Sequence, residues 1–130
     1  MTMRSMFFAL IVAVVTCVGC DDSPTRPSSG ALATIQVGAE RFQVWLRTPE
    51  QIQAARAAQA GGPARIPNGR IVTGTEYNSG WSWHLEDVAF AAVTTEVCDG
   101  RPSDVEKLGT QFGAGRFCPW TAIVVSINEV

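Results

Sequence analysis

Apolar and polar positions change their spacing several times along the chain, and each change marks a different kind of segment. Behind Arg4, residues 6–15 form an unbroken apolar run. Residues 21–30 (DDSPTRPSSG) contain no large apolar side chain and therefore cannot contribute to a core. A two-residue alternation then sets in. In residues 41–46, Phe42, Val44 and Leu46 alternate with Gln43 and Trp45, the period of a strand with one buried face. Together with residues 33–37 across Gly38-Ala39-Glu40, this predicts a hairpin, with Trp45 out of phase and exposed.

Thr48-Pro49-Glu50-Gln51 combines an N-cap, a proline at the first helical position and a glutamine three residues after the cap. It starts a helix predicted over 49–60 and stopped by Gly61-Gly62-Pro63. The buried side of that helix is thin: Ile52, Ala55 and Ala58 or Gln59. The breaker-rich stretch 61–69 reads as a loop, 70–73 as a short strand and 77–80 as a turn. Residues 81–85 place Trp81, Trp83 and Leu85 on one face of a strand, with Ser82 and His84 on the other. The β-rich stretch 88–98 puts Thr94, Glu96 and Cys98 on one side and Val93, Thr95 and Val97 on the other. Ser103-Asp104-Val105-Glu106 repeats the capping box and predicts a second helix over 104–108, before Gly109. A strand rich in branched residues, 121–127, closes the chain.

The predicted fold is α+β: about six mainly antiparallel strands in one curved sheet or a small β-sandwich, with a main helix laid across. A parallel crossover between the hairpin and a later strand is the alternative arrangement.

Length and charge narrow the function classes. At 130 residues there is room for one domain, predicted over 33–130. Arg4, the apolar run and Thr16-Cys17-Val18-Gly19 in front of Cys20 have the order of a secretory leader, residues 1–19. The run is too short to span a bilayer, which takes roughly 20 apolar residues. Val18-Gly19-Cys20 resembles a bacterial lipobox, in which the cysteine thiol receives diacylglycerol before cleavage. The pattern prefers Leu where Cys17 stands, so lipidation at Cys17 and ordinary secretion are the alternatives to Cys20. Residues 20–32 then serve as lipid-bearing cysteine and tether, on the inner or the outer membrane. Without Arg4 the formal charge of −2 becomes 9 − 12 = −3. No basic field is left to attract nucleic acid.

The leader also accounts for the cysteines. With Cys17 removed and Cys20 acylated, Cys98 and Cys118 are the only thiols left in an oxidising compartment, and a bridge between them is the natural pairing. A metal site on the pair lacks both a CxxC spacing and a neighbouring histidine. No cofactor motif is present.

Six motifs occur in an order that identifies a resemblance: Phe42 to Leu46, Thr48-Pro49-Glu50-Gln51-Ile52 with Ala55-Arg56, Gly69-Arg70-Ile71-Val72, Asn78 through Leu85, Glu96-Val97-Cys98-Asp99-Gly100, and Phe117-Cys118-Pro119-Trp120. The stretch 40–127 resembles the N-terminal domain of a calmodulin-binding protein of lower eukaryotes, a domain also found alone in exported bacterial proteins. The resemblance implies the fold, the Cys98–Cys118 pairing and a common set of polar residues. Calmodulin binding is not expected, because such targets are basic amphipathic helices and helix 49–60 carries only Arg56.

Three sets of residues are candidates for chemistry. His84, the only histidine, with Ser82 and Glu96 would make a small exported hydrolase, although no Gly-x-Ser-x-Gly motif is present. The bland reading is a histidine bonded to Glu96 or to backbone; metal binding by His84, Glu96 and Asp99 lacks any diagnostic spacing. Trp81, Trp83 and Trp120, with Asn78 or Asp99 as hydrogen-bonding partners, suggest a glycan platform, against the alternative that the indoles pack the core. Trp45 is a further exposed candidate. Asp99-Gly100-Arg101-Pro102 opens the loop spanned by the disulfide, a protease-inhibitory segment if it projects, otherwise a turn. Absent a catalytic set, the expectation is a non-enzymatic module anchored in a bacterial envelope, with a protein or glycan partner. Intact mass on membrane-extracted protein should show a diacyl adduct on Cys20; an unmodified Cys20 would overturn the anchor.

Overall fold

A computed structural model describes residues 29–130. The leader, Cys20 and most of the tether lie outside the described residues. Six strands and two helices follow in order: β1 Ala31–Val37, β2 Glu40–Leu46, α1 Pro49–Gln59, β3 Ile66–Thr73, β4 Trp83–Ala91, α2 Pro102–Leu108, β5 Arg116–Phe117 and β6 Ile123–Glu129. They form two three-stranded antiparallel sheets, β2-β1-β6 and β4-β3-β5. No parallel crossover occurs among them. The two sheets share one core, so the α+β class with about six strands holds in its sandwich form.

The hairpin forms as its alternation dictates. Ala33, Ile35, Phe42, Val44 and Leu46 all point inward and are buried. From the second sheet Trp83, Leu85 and Phe117 meet them. Phe42 lies 5.8 Å from Trp83 and 5.3 Å from Phe117, centroid to centroid, and Phe117 extends the cluster to Phe112 at 5.9 Å. Tilted and edge-on pairs of this kind each stabilise by about 0.5–1.5 kcal/mol beyond the area they bury.

Helix α1 starts as predicted. Thr48 Oγ1 accepts from the Gln51 N–H at 3.2 Å, and Gln51 Oε1 accepts from the Thr48 N–H at 3.2 Å. Ala55 and Ala58 are its buried residues, small enough to let the helix lie close. Its glutamines tie the two sheets together from outside: Gln51 Nε2 donates to Val88 O of β4 and Gln59 Nε2 to Val125 O of β6.

Several boundaries differ from the sequence reading. The first strand begins at Ala31, so Ala31 and Leu32 belong to the sheet rather than to the tether. β3 takes in Ile66–Thr73, four residues earlier than predicted. Gly69 is there because the backbone lies against β4: a Cβ at this position would sit 2.9 Å from Leu85 Cβ. A breaker in the sequence is thus a close approach in the fold. β4 stops at Ala91, and Cys98 sits in the 3₁₀ turn Glu96–Cys98, so Thr94, Glu96 and Cys98 share no strand face. The tie to Cys118 takes the chain out of the sheet; Cys118 N donates to Cys98 O at 2.8 Å. The second helix begins at Pro102, with Arg101 as its cap residue instead of Ser103. Asp104 Oδ2 accepts from the Arg101 N–H, and Glu40 of the hairpin accepts from both the N–H and the hydroxyl of Ser103. The last strand runs two residues later than predicted.

The loop 74–82 joins β3 to β4 and supplies the link between the sheets. Asn78 is fully buried. Its Oδ1 accepts from Gln43 N of β2 at 2.8 Å, and its Nδ2 donates to Trp83 O of β4 at 2.7 Å. From the same loop, the Tyr77 hydroxyl donates to Leu85 O and Trp81 Nε1 to Arg41 O. These bonds satisfy edge groups of β2 and β4 that would otherwise template wrong pairing. Asn78→Ala leaves a buried N–H and a buried C=O unpaired, and should lower the unfolding free energy by about 2–4 kcal/mol in urea melts. Asn78→Asp should be similarly destabilised at neutral pH and partly rescued in acid, where its protonated carboxyl again donates to Trp83 O.

Candidate binding site

The structure sorts the sequence candidates by exposure. Trp45 is 2 % exposed, contrary to expectation. The outer face of β2 is covered: the Tyr77 ring lies 6.4 Å from the indole, and Gly30 is so close that a Cβ there would stand 2.9 Å from Cζ2. Trp83 is buried in the aromatic core, and Asn78 has both amide functions engaged between the sheets. None of these three side chains is open to a ligand. Trp81 is partly buried, 6.0 Å from Trp83.

The hydrolytic set does not assemble. His84 is 3 % exposed, with Nδ1 donating to Gly74 O at 2.6 Å and Nε2 facing Glu86 Oε1 at 3.3 Å. Both ring nitrogens are therefore engaged away from Ser82, whose hydroxyl donates to Glu106 Oε1 at 2.8 Å. Glu96 lies in the 3₁₀ turn beside the disulfide, and the residue across from His84 is Val72. Glu86, two residues along the same strand, takes the part expected of Glu96. Among the described residues no group of three His, Cys, Asp or Glu side chains is placed to hold a metal ion. No described helix is long and apolar enough to cross a membrane.

The loop opened by Asp99 and Arg101 does not project. Residues 99–117 fold back as α2, a 3₁₀ segment and β5, and bury Val105, Phe112 and Phe117. Arg101 is exposed and close to Glu40 and Asp104. Asp99 turns to the other side, where its Oδ1 accepts from Trp120 N at 2.9 Å.

That contact stands beside an open groove. Trp120 follows the Cys98–Cys118 disulfide and is 39 % exposed, its Nε1 donating to Thr95 O at 3.2 Å. With both N–H groups fixed, the indole has a set position. Beside it lies a groove of about 480 Å³ between the end of α1, the start of β3 and residues 120–123. Ala58, Gly61, Ala92 and Ala122 leave it room, while Gln59, Arg65 and Thr121 supply polar groups. Such a volume is typical of small-ligand sites. Ile123 on the groove wall and Val93, next to Ala92, are 63 % and 75 % exposed.

Sequence reasoning reached Trp120 and Asp99 here but missed Arg65, Thr121 and Ile123. Arg65 stands in the breaker-rich stretch, where no periodicity assigns a face. Ile123 belongs to a strand of branched apolar residues, whose composition hides which side is out. A second hollow, about 440 Å³, lies at the opposite end near Gly30 and Val130; its neighbours Arg56 and Glu129 are paired at 2.7 Å.

One group in the covering loop has a displaced titration. Burial pushes the Tyr77 phenol up from 10.0 to about 12, and the nearby Glu86 carboxylate adds to the shift. The folded state thus holds this proton more tightly than the unfolded chain does. The associated stability is complete below pH 10 and lost as pH rises through about 12. Tyr77 is the sole tyrosine, so phenolate absorbance should rise together with alkaline unfolding, and Tyr77→Phe should remove the phenolate signal and flatten the alkaline loss.

The family described as BP-74 N-terminal domain matches residues 29–130. No curated protein and no solved structure gives a match.

Proposed function

The chain belongs to the BP-74 N-terminal domain family, and on that premise we propose that it is a non-enzymatic interaction module, displayed from a bacterial envelope by lipid on Cys20. The observation that carries this reading is the contrast between two places. The groove at Trp120 is open, roomy and rigidly framed by the disulfide, whereas His84 is sealed with both nitrogens occupied. A partner, protein or glycan, has a surface to meet; a hydrolytic substrate has no access to the histidine.

The position of Gly30 supports display. Gly30 lies beside Val130, whereas Ile123 of the groove pairs with Gln36 at the far end of β1. Six residues of strand separate Ile123 from Glu129, about 20 Å at ~3.3 Å per residue. A tether joined at Gly30 therefore attaches at the end of β1 away from the groove. At the groove end, a bridge across 20 residues stabilises the fold by about 3 kcal/mol by constraining the unfolded chain. Calmodulin has no place in this reading, since the one basic residue of α1, Arg56, is committed to Glu129.

The protease-inhibitor alternative needs a projecting 99–117 segment, and the packing of Val105, Phe112 and Phe117 speaks against it. The test uses the full, membrane-extracted chain, cross-linked in envelope extract. Trp120→Ala should lose about tenfold or more of the specific adduct, the range of an aromatic hot spot. Ser82→Ala should retain it. Equal capture by Trp120→Ala would overturn the groove as the binding surface.

A further inference from the structure

The groove beside Trp120 carries a charge that a generic binding surface does not require. Arg65 is the only charged residue lining it. Arg56, Arg70 and Arg101 each face a carboxylate and Arg41 and Arg116 each a side-chain amide, while among the described residues the guanidinium groups of Arg47 and Arg65 face neither, and of these two only Arg65 lines the groove. Its backbone is held by a hydrogen bond to Pro63 O, so the side chain extends from a fixed point at the groove wall. Burying an arginine fork against a ligand is favourable when the ligand brings the carboxylate the protein lacks.

The rest of the groove fits a sugar ring. Trp120 has no free N–H, so what it offers is the apolar surface of its indole. The electron-rich face of such a ring attracts the polarised C–H groups on one side of a pyranose. Gln59 commits its amide N–H to Val125 O, leaving Oε1 as an acceptor for a hydroxyl, and Thr121 adds a group that both donates and accepts. The small residues of the floor allow a ring to enter edge-on.

An acidic peptide would also meet Arg65, but an extended peptide gains its affinity by pairing main chain with a sheet edge. The neighbouring edge is poorly suited to that. β6 carries a register shift around Val125, and the Val125 carbonyl is already taken by Gln59.

We propose that this groove binds a carboxylate-bearing saccharide, with Trp120 stacked on the sugar ring and Arg65 paired with its carboxylate. The proposal rests on the binding-module reading and names its ligand class. It also explains the lack of any acidic residue in the lining, which would repel such a sugar.

The experiment is a titration of the full chain, followed through the four tryptophan indole N–H resonances, with three probes: oligogalacturonate, its methyl ester and an oligoglutamate peptide. Oligogalacturonate should shift the Trp120 resonance, assigned by Trp120→Phe, and bind about tenfold more tightly than the ester, the factor expected for a charge-assisted pair. Arg65→Gln, at an exposed position, should erase that difference without changing the thermal midpoint. Equal affinity for acid and ester, or a difference that survives Arg65→Gln, would overturn the carboxylate pairing. A Trp120 shift with oligoglutamate alone would overturn the saccharide class while leaving a binding groove in place. No shift with either saccharide would overturn the inference outright; the module reading fails separately, only if Trp120→Ala still captures its envelope partner.

Discussion

The buried amide of Asn78 is the polar link between the two sheets in the interior, where the glutamines of α1 brace them only from outside. Sheets in a small sandwich are otherwise related by apolar contacts, which are strong but non-directional. Asn78 adds direction by accepting from a backbone N–H of β2 and donating to a backbone C=O of β4. In a low-dielectric interior an unpaired amide is strongly destabilising. Only the register in which both bonds form avoids that penalty. The aromatic core of Phe42, Trp83 and Phe117 depends on this register, because these rings come from both sheets.

The same loop protects the strand edges. Trp81 and Tyr77 satisfy carbonyls of β2 and β4, Gln51 takes the next one at Val88, and a register shift interrupts β6. The end of the sandwich carrying the disulfide is open, with a groove beside Trp120. There the covalent bridge does what strand pairing does elsewhere, and it leaves Trp120 at the surface on a frame that hydrogen bonds make rigid. The two ends are therefore unlike: one brings Gly30 beside Val130, the other presents a groove with an indole and an arginine that faces no carboxylate among the described residues.

Chemistry-bearing residue types are a poor guide where the fold uses them for structure. His84, Asn78 and Trp45 are the kinds of residue that mark sites, and each is buried. Their polar atoms work on the backbone in the first two cases; in the third, the indole packs under Tyr77 and Gly30. Pairs such as Ser82 with Glu106 and Ser103 with Glu40 likewise use hydroxyls and carboxylates to join elements distant in sequence.

What was legible in the sequence was whatever depends on neighbours a few residues away. The alternation of Phe42, Val44 and Leu46, the Thr48–Gln51 capping box, the turn at Asn78 and the pairing of the two late cysteines all have local or compositional signatures, and the α+β class follows from them. Tertiary structure decided the rest. Trp45 is buried because a loop more than thirty residues later covers its face, Gly69 sits in a strand because β4 approaches it, and Glu86 rather than Glu96 meets His84 because the chain leaves the sheet after Ala91. The groove itself joins α1, the start of β3 and the segment after Cys118, three stretches with no common period. Periodicity reports which face of an element is apolar; what comes to lie against the other face is set by contacts between residues far apart in the chain.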